Sequence, residues 1–168
     1  LLDAACAALC EHTARHRAEL VLLPEFAFVE PVWEAEHFDA GRWAAVEAAS
    51  DRWLRRLPEL GAAQVVGARP VTIDGEPYNA GYAWSAAGGL VALRRKYFLP
   101  DEPGGREARW FARGDPAFPP FSAGALRLRL VATKNRPCAD FPGKNDAGEY
   151  DPAVVLDFDY WAAIPKRS

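Results

Sequence analysis

The spacing of apolar residues along the chain predicts an alternation of helices and strands. Over Asp3–Arg17 the residues Leu2, Cys6, Leu9, Cys10 and Thr13 fall on one stripe at helical period, with Glu11, Arg15 and Glu19 elsewhere. Glu19-Leu-Val-Leu-Leu-Pro24 is a continuous apolar run stopped by proline, the signature of a buried strand. After an aromatic and proline-rich loop, Phe26–Phe38, a second helix is predicted over Arg42–Leu57. Trp43, Val46, Ala49, Trp53 and Leu57 face its core, and Pro58 and Gly61 end it.

The next 35 or so residues read as β-structure. Gln64–Ile73 is a strand, with a bulge expected at Gly67 or Pro70. Asp74-Gly75 is a hairpin turn signal, Tyr78–Ser85 the returning strand, and Gly88-Gly89 a second turn before the strand Leu90–Arg94. Lys96–Pro120 reads mostly as loop, and Ala125–Ala132 alternates at period two as a strand should. Proline and glycine then exclude a long helix before position 149, and Val154–Trp161 is a last candidate strand. Strands alternating with helices predict an α/β sheet covered by helices.

Composition narrows the function classes. The 168 residues suffice for one domain with its own core. The net charge of −3 gives no basic face for nucleic acid. No apolar run approaches the roughly 20 residues that span a bilayer, and no signal peptide is visible, so neither nucleic acid nor membrane is an expected partner. Three cysteines, Cys6, Cys10 and Cys138, are an odd number, which favours free thiols and a cytoplasmic setting. The start at Leu1, inside a helical pattern and without any methionine, suggests a truncated beginning.

Four constellations could carry chemistry. Cys6/Cys10 and His12/His16 are each spaced i, i+4, but at about 100° per residue the two pairs point nearly opposite ways and cannot close one tetrahedral zinc site. Glu25 follows a buried strand directly, where α/β sheets place their sites, and apolar neighbours there make a carboxylate a better base. Lys96 also ends a strand and could stabilise an oxyanion. Glu107 precedes Trp110, Phe111 and Gly114 and could orient the lysine. Taken singly, Glu25 is more often an exposed strand-end glutamate, Lys96 part of a surface basic cluster with Arg94 and Arg95 on an edge strand, and Glu107 means little.

Together these segments resemble the nitrilase superfamily of carbon–nitrogen hydrolases. Ala18-Glu-Leu-Val-Leu-Leu-Pro-Glu-Phe26 is similar to its first catalytic block. Tyr78-Asn-Ala-Gly-Tyr-Ala-Trp-Ser, followed by Gly88-Gly-Leu-Val-Ala-Leu-Arg-Arg-Lys-Tyr-Phe-Leu-Pro100, is similar to the block that carries the catalytic lysine. Glu107 with Phe111 and Gly114 resembles the second glutamate ahead of a Phe-x-x-Gly stop. The resemblance covers about residues 3–131 and leaves 132–168 as a divergent tail of a single, incomplete domain.

The resemblance implies an α/β fold, a partial α-β-β-α sandwich, and hydrolysis of an amide, nitrile or N-carbamoyl bond through a Cys-Glu-Lys thioester. Glu25 is then the base, Lys96 the oxyanion partner and Glu107 the orienting carboxylate. No cofactor or metal is implied; the expected partners are a small amide or nitrile and a second copy of the chain in a homodimer. The nucleophile is open. Cys138-Ala-Asp140-Phe141-Pro142 reproduces the family's Cys-x-Asp and Phe-Pro, several residues past the strand, whereas alignment on the strand end puts Thr133 there. The alternative to an active hydrolase is an inactive member or fragment that binds a small molecule or a protein.

Overall fold

A computed structural model describes residues 2–103, 105–117, 119–123, 126–130, 154–156 and 162–165. Two helices, α1 (Leu2–His16) and α2 (Ala40–Leu54), and eight strands are described: β1 (Ala18–Leu22), β2 (Gln64–Ile73), β3 (Glu76–Ser85), β4 (Gly89–Arg95), β5 (Phe121–Ala123), β6 (Leu126–Leu130), β7 (Val154–Leu156) and β8 (Ala162–Pro165). They form a five-stranded sheet, ordered β4-β3-β2-β1-β8, and a three-stranded sheet, ordered β5-β6-β7. β1 runs parallel to β2, and the β2–β3–β4 meander is antiparallel.

Period-two alternation separates two cores. Val21, Val65 and Tyr82 point to one face of the large sheet, where Leu54, Leu57 and Leu60 cover them and Leu9 and Cys10 of α1 pack against them. Leu20, Val66 and Ala83 point to the other face, against Ala123 and Leu128 of the small sheet. The described layers are therefore helices, sheet and sheet, an α/β fold that supplies three layers of the expected sandwich. Each fully buried valine or leucine contributes about 1.5–3 kcal/mol of transfer free energy, so the two apolar layers hold the stack.

α2 begins two residues earlier than the apolar spacing suggests. Asp39 caps it, its carboxylate accepting from the Arg42 amide at 2.7 Å, which puts Gly41 inside the first turn. Pro58 moves the helix end to Leu54, and the chain continues as a 3-10 turn, Leu57–Leu60, closed by Gly61 at φ 64°. The buried stripe consequently runs through Trp43, Ser50 and Leu54.

The expected bulge in β2 is absent. The β2–β3 register runs unbroken from Gln64↔Ser85 to Ile73↔Glu76. The Asn79 carbonyl accepts from the Lys96 amide, so Asn79 turns its backbone groups toward β4, and its partner Pro70 turns its own away from β3. On that flank β1 pairs only Gln64–Val66, so the missing proline N–H costs no ladder bond. Gly67 is needed for a different reason: a Cβ there would lie 2.7 Å from the Tyr82 hydroxyl. The bulge lies instead between β3 and β4, where Gly81 pairs Arg94 and Tyr82 pairs Ala92, leaving Leu93 as the extra residue. At the tip of the β2–β3 hairpin, Asp74 and Gly75 both take positive φ, 54° and 82°, as Asp-Gly turns do.

Candidate active site

The site is built at the edge of the large sheet where β1 and β4 end. The Leu23 amide still reaches the Val66 carbonyl, at 2.8 Å, before Pro24 stops the ladder. Phe26 then takes φ 51°, an uncommon conformation for a side chain of its size, and the chain turns away with Glu25 at the corner. The Phe26 ring compensates: it is buried against Trp33 and Phe111, with centroids 4.9 and 5.7 Å away.

Glu107 opens a short 3-10 turn, Glu107–Arg109, inside the segment that reads as loop. The Trp110 and Phe111 amides both donate to the Glu107 carbonyl, at 3.0 and 2.9 Å, and their rings enter the cluster that holds Phe26. The aromatic packing thus joins the residue after Glu25 to the residues after Glu107. Gly114 brings this segment against the end of β4: its amide donates to the Lys96 carbonyl at 2.9 Å, and a Cβ there would meet the Arg95 carbonyl oxygen at 2.3 Å. Only glycine allows that approach.

Three charges converge on this frame. Lys96 Nζ lies 2.9 Å from Glu25 Oε1 and 2.8–2.9 Å from the two Glu107 oxygens. The side chains of Lys96 and Glu107 are nearly buried, at 11% and 6% exposure, while Glu25 keeps 22%. Burial of Lys96 disfavours its charge, but the two carboxylates outweigh this and hold its pKa above the ordinary lysine value. The lysine is therefore a fixed positive charge, with more negative than positive charge immediately around it. Asn79, buried in β3, donates from Nδ2 to Glu25 Oε1 as well. It shares parity with Ala83, which packs in the layer between the sheets, so the cluster sits at the end of that layer.

The structure brings Glu25, Lys96 and Glu107 together. Cys138 and Thr133, the two nucleophile candidates, lie outside the described residues. Cys6 and Cys10 are free, half-buried thiols on α1, away from this cluster, and no group of three or more metal-ligating side chains occurs among the described residues. No described helix is long and apolar enough to cross a membrane. In the sequence Asn79 is only a member of the Tyr78–Ser85 motif, with no role of its own; an asparagine inside a strand, where asparagine is depleted, is the signal that points to it.

A family model described as carbon-nitrogen hydrolase matches residues 4–132. The chain belongs to the carbon–nitrogen hydrolase family. Its fold is similar to that of a carbon-nitrogen hydrolase from Helicobacter pylori G27, with a TM-score of 0.65 and 18% identity over 78% of this chain and 45% of that one. It is also similar to a double mutant of the amidase from Nesterenkonia sp. AN1 in complex with acrylamide, with a TM-score of 0.59 and 21% identity over 78% and 48% of the two chains. At such identities these neighbours speak to the fold, and the chain spans under half the length of each.

The curated relatives are of another kind. A beta-methylmalyl-CoA dehydratase of Chloroflexus aurantiacus is 66% identical over 44 residues, and a mesaconyl-CoA hydratase of Cereibacter sphaeroides is 51% identical over 43 residues. The chain spans 12% of the length of each of these two proteins.

Proposed function

We propose that this chain hydrolyses an amide, nitrile or N-carbamoyl bond, with Glu25 as general base, Lys96 as oxyanion partner and Glu107 as the group that orients Lys96. The observation that carries this reading is the Lys96 ammonium held between two carboxylates at 2.8–2.9 Å, at the sheet edge. The complex of the similar amidase with acrylamide supports a small amide as substrate.

The chemistry follows from the three groups and a thiol. Cys138 is the proposed nucleophile; the strand that precedes it in sequence, β6, belongs to the sheet that faces the inter-sheet layer. Glu25 takes the thiol proton, and the sulfur attacks the substrate carbon. Charge that builds on the substrate oxygen or nitrogen meets the Lys96 ammonium. The C–N bond of an amide breaks, the amine leaves with a proton returned from Glu25, and a thioester remains. Glu25 then deprotonates water, which attacks the thioester carbon; the acid leaves, and the thiolate recovers the proton. None of these steps calls for a cofactor.

The spacer Lys134–Pro137 weakens this arrangement in rate. In sequence Cys138 stands several residues past the strand end, across Lys134–Pro137, and a misplacement of the reacting atoms by about 1 Å costs on the order of a hundredfold. Turnover is therefore slow. A hydration activity would rest on 44 residues that are 12% of the dehydratase, whereas the charge cluster lies within the segment that the hydrolase family model matches. We further read the protein as cytoplasmic and self-associating. The test is ammonia release from short amides, nitriles and N-carbamoyl compounds, beside a Cys138→Ala control. Slow release that the substitution abolishes supports the reading; retention of an amide ligand without any release shows a binding module instead.

A further inference from the structure

We propose that Asn79 is the positioning residue of this site, clamping Glu25 so that only one of its carboxylate oxygens is free to take a proton. This rests on the reading of Glu25 as the base. Asn79 is 3% exposed, so its amide must find partners inside the protein. It donates from Nδ2 to Glu25 Oε1, and an ionised carboxylate accepts only, which fixes the amino end of the side chain as the one facing it. Lys96 Nζ reaches the same oxygen at 2.9 Å.

Two donors, one in β3 and one just past the end of β4, therefore converge on Oε1. Rotation of the carboxylate would break both, and hydrogen bonds to a charged group are the strong ones. Among the described residues none donates to Oε2, which is left to accept the nucleophile's proton. Asn79 also governs the other arm of the site. Its backbone carbonyl accepts from the Lys96 amide at 2.7 Å, just past the bulge at Leu93, and so sets where the lysine side chain departs from the sheet. One residue thus ties base and ammonium into a single geometry: its side chain holds the first and its backbone the second.

The experiment follows the Lys96 ammonium by nitrogen-15 NMR near pH 6 in the full chain, in Asn79→Leu, Glu25→Gln and the double variant. Asn79→Leu keeps the branched shape and removes the donor; Asn79→Ala is the second variant if it does not fold, and near-ultraviolet circular dichroism of the tryptophans checks the fold. With Glu25 no longer clamped, the Lys96 protons exchange with water about tenfold faster, as the loss of a charge-assisted hydrogen bond implies. Glu25→Gln does at least as much, and the double variant adds nothing. In parallel, kcat for ammonia release falls at least about tenfold while KM holds, as expected of misplaced reacting groups. A folded Asn79→Leu chain with the parent's exchange rate and kcat overturns the proposal. Faster exchange together with no ammonia release from any chain, parent included, upholds the clamp and overturns the hydrolase reading.

Discussion

Replacing Lys96 by methionine removes the cation that bridges Glu25 and Glu107 and leaves the other described residues of the site in place. Because Nζ is 2.8–2.9 Å from an oxygen of each, the two carboxylates are at most about 6 Å apart. Two negative charges at that distance repel by about 3 kcal/mol at an effective dielectric of about 20. Removing one partner of a buried pair costs about 3–5 kcal/mol, a range reduced here because Glu25 is 22% exposed. We expect a loss of about 3 kcal/mol at pH 8.

The loss depends on pH in a defined direction. In Lys96→Met the carboxylates favour a shared proton, so the folded state binds protons more tightly than the unfolded chain. Stability is then retained near the unfolded glutamate pKa of about 4.3 and declines as pH rises. At pH 5 the cost falls to about 1–2 kcal/mol. In the parent the sign concerns Lys96 itself, whose raised pKa contributes stability below the ordinary 10.5 that is lost as pH climbs through the raised value. The assay is thermal unfolding of parent and variant at pH 5 and pH 8. At 2–4 °C per kcal/mol, the melting temperature of Lys96→Met should drop by about 6–12 °C at pH 8 and by roughly half that or less at pH 5. An equal drop at both pH values, or one under about 2 °C at pH 8, would refute the charge-pairing argument.

Three further outcomes follow from packing. Gly114→Ala places a Cβ 2.3 Å from the Arg95 carbonyl oxygen and should cost about 2–3 kcal/mol in urea unfolding; a cost under about 0.5 kcal/mol would show that the Phe111–Gly114 segment does not lie against β4. The Tyr82 hydroxyl is buried without a hydrogen-bond partner among the described residues, and burial drives its pKa up, so Tyr82→Phe should be neutral or stabilising by up to about 1 kcal/mol, whereas a clear loss would reveal a partner. β4 is an edge strand with Leu90 and Val91 exposed, at 39% and 53%, so light scattering at micromolar concentration should find a dimer or larger species, and Val91→Lys should shift it toward monomer; a monomeric parent would contradict self-association.

The regular elements were legible because their signals are local. β2 spans Gln64–Ile73 as its apolar run indicates, and the Asp-Gly turn sets the hairpin register. Boundaries slipped by two or three residues: Asp39 caps α2 ahead of the expected start at Arg42, and the 3-10 turn around Pro58 takes in Leu57, so the helix ends at Leu54. Residue type points to a bulge at Gly67 or Pro70, yet it falls at Leu93, where nothing in the residue type marks it. That choice is tertiary, since it depends on how β4 leaves β3 to bring Lys96 over the sheet edge.

The candidate site was legible only through the resemblance. A glutamate after a strand, a lysine after another and a glutamate in a proline- and glycine-rich stretch are each ordinary surface residues by composition. What joins them is nonlocal: Phe26 packing on Phe111, Gly114 against Arg95 and the Asn79 amide under Glu25. Asn79 is the instructive case, because its importance comes from a partner 54 positions away in the chain.

The central claim, that Glu25 and Lys96 drive a covalent attack by Cys138 on a C–N bond, is tested most directly by trapping the acyl-enzyme. The chain is mixed with excess short-chain amide, quenched in acid, digested and mapped by mass spectrometry. The account predicts an acyl group on Cys138 that is absent from Cys138→Ala and greatly diminished in Glu25→Gln and Lys96→Met. Ammonia release with no acyl group on Cys138, or an adduct there that survives unchanged in Glu25→Gln and Lys96→Met, would contradict it.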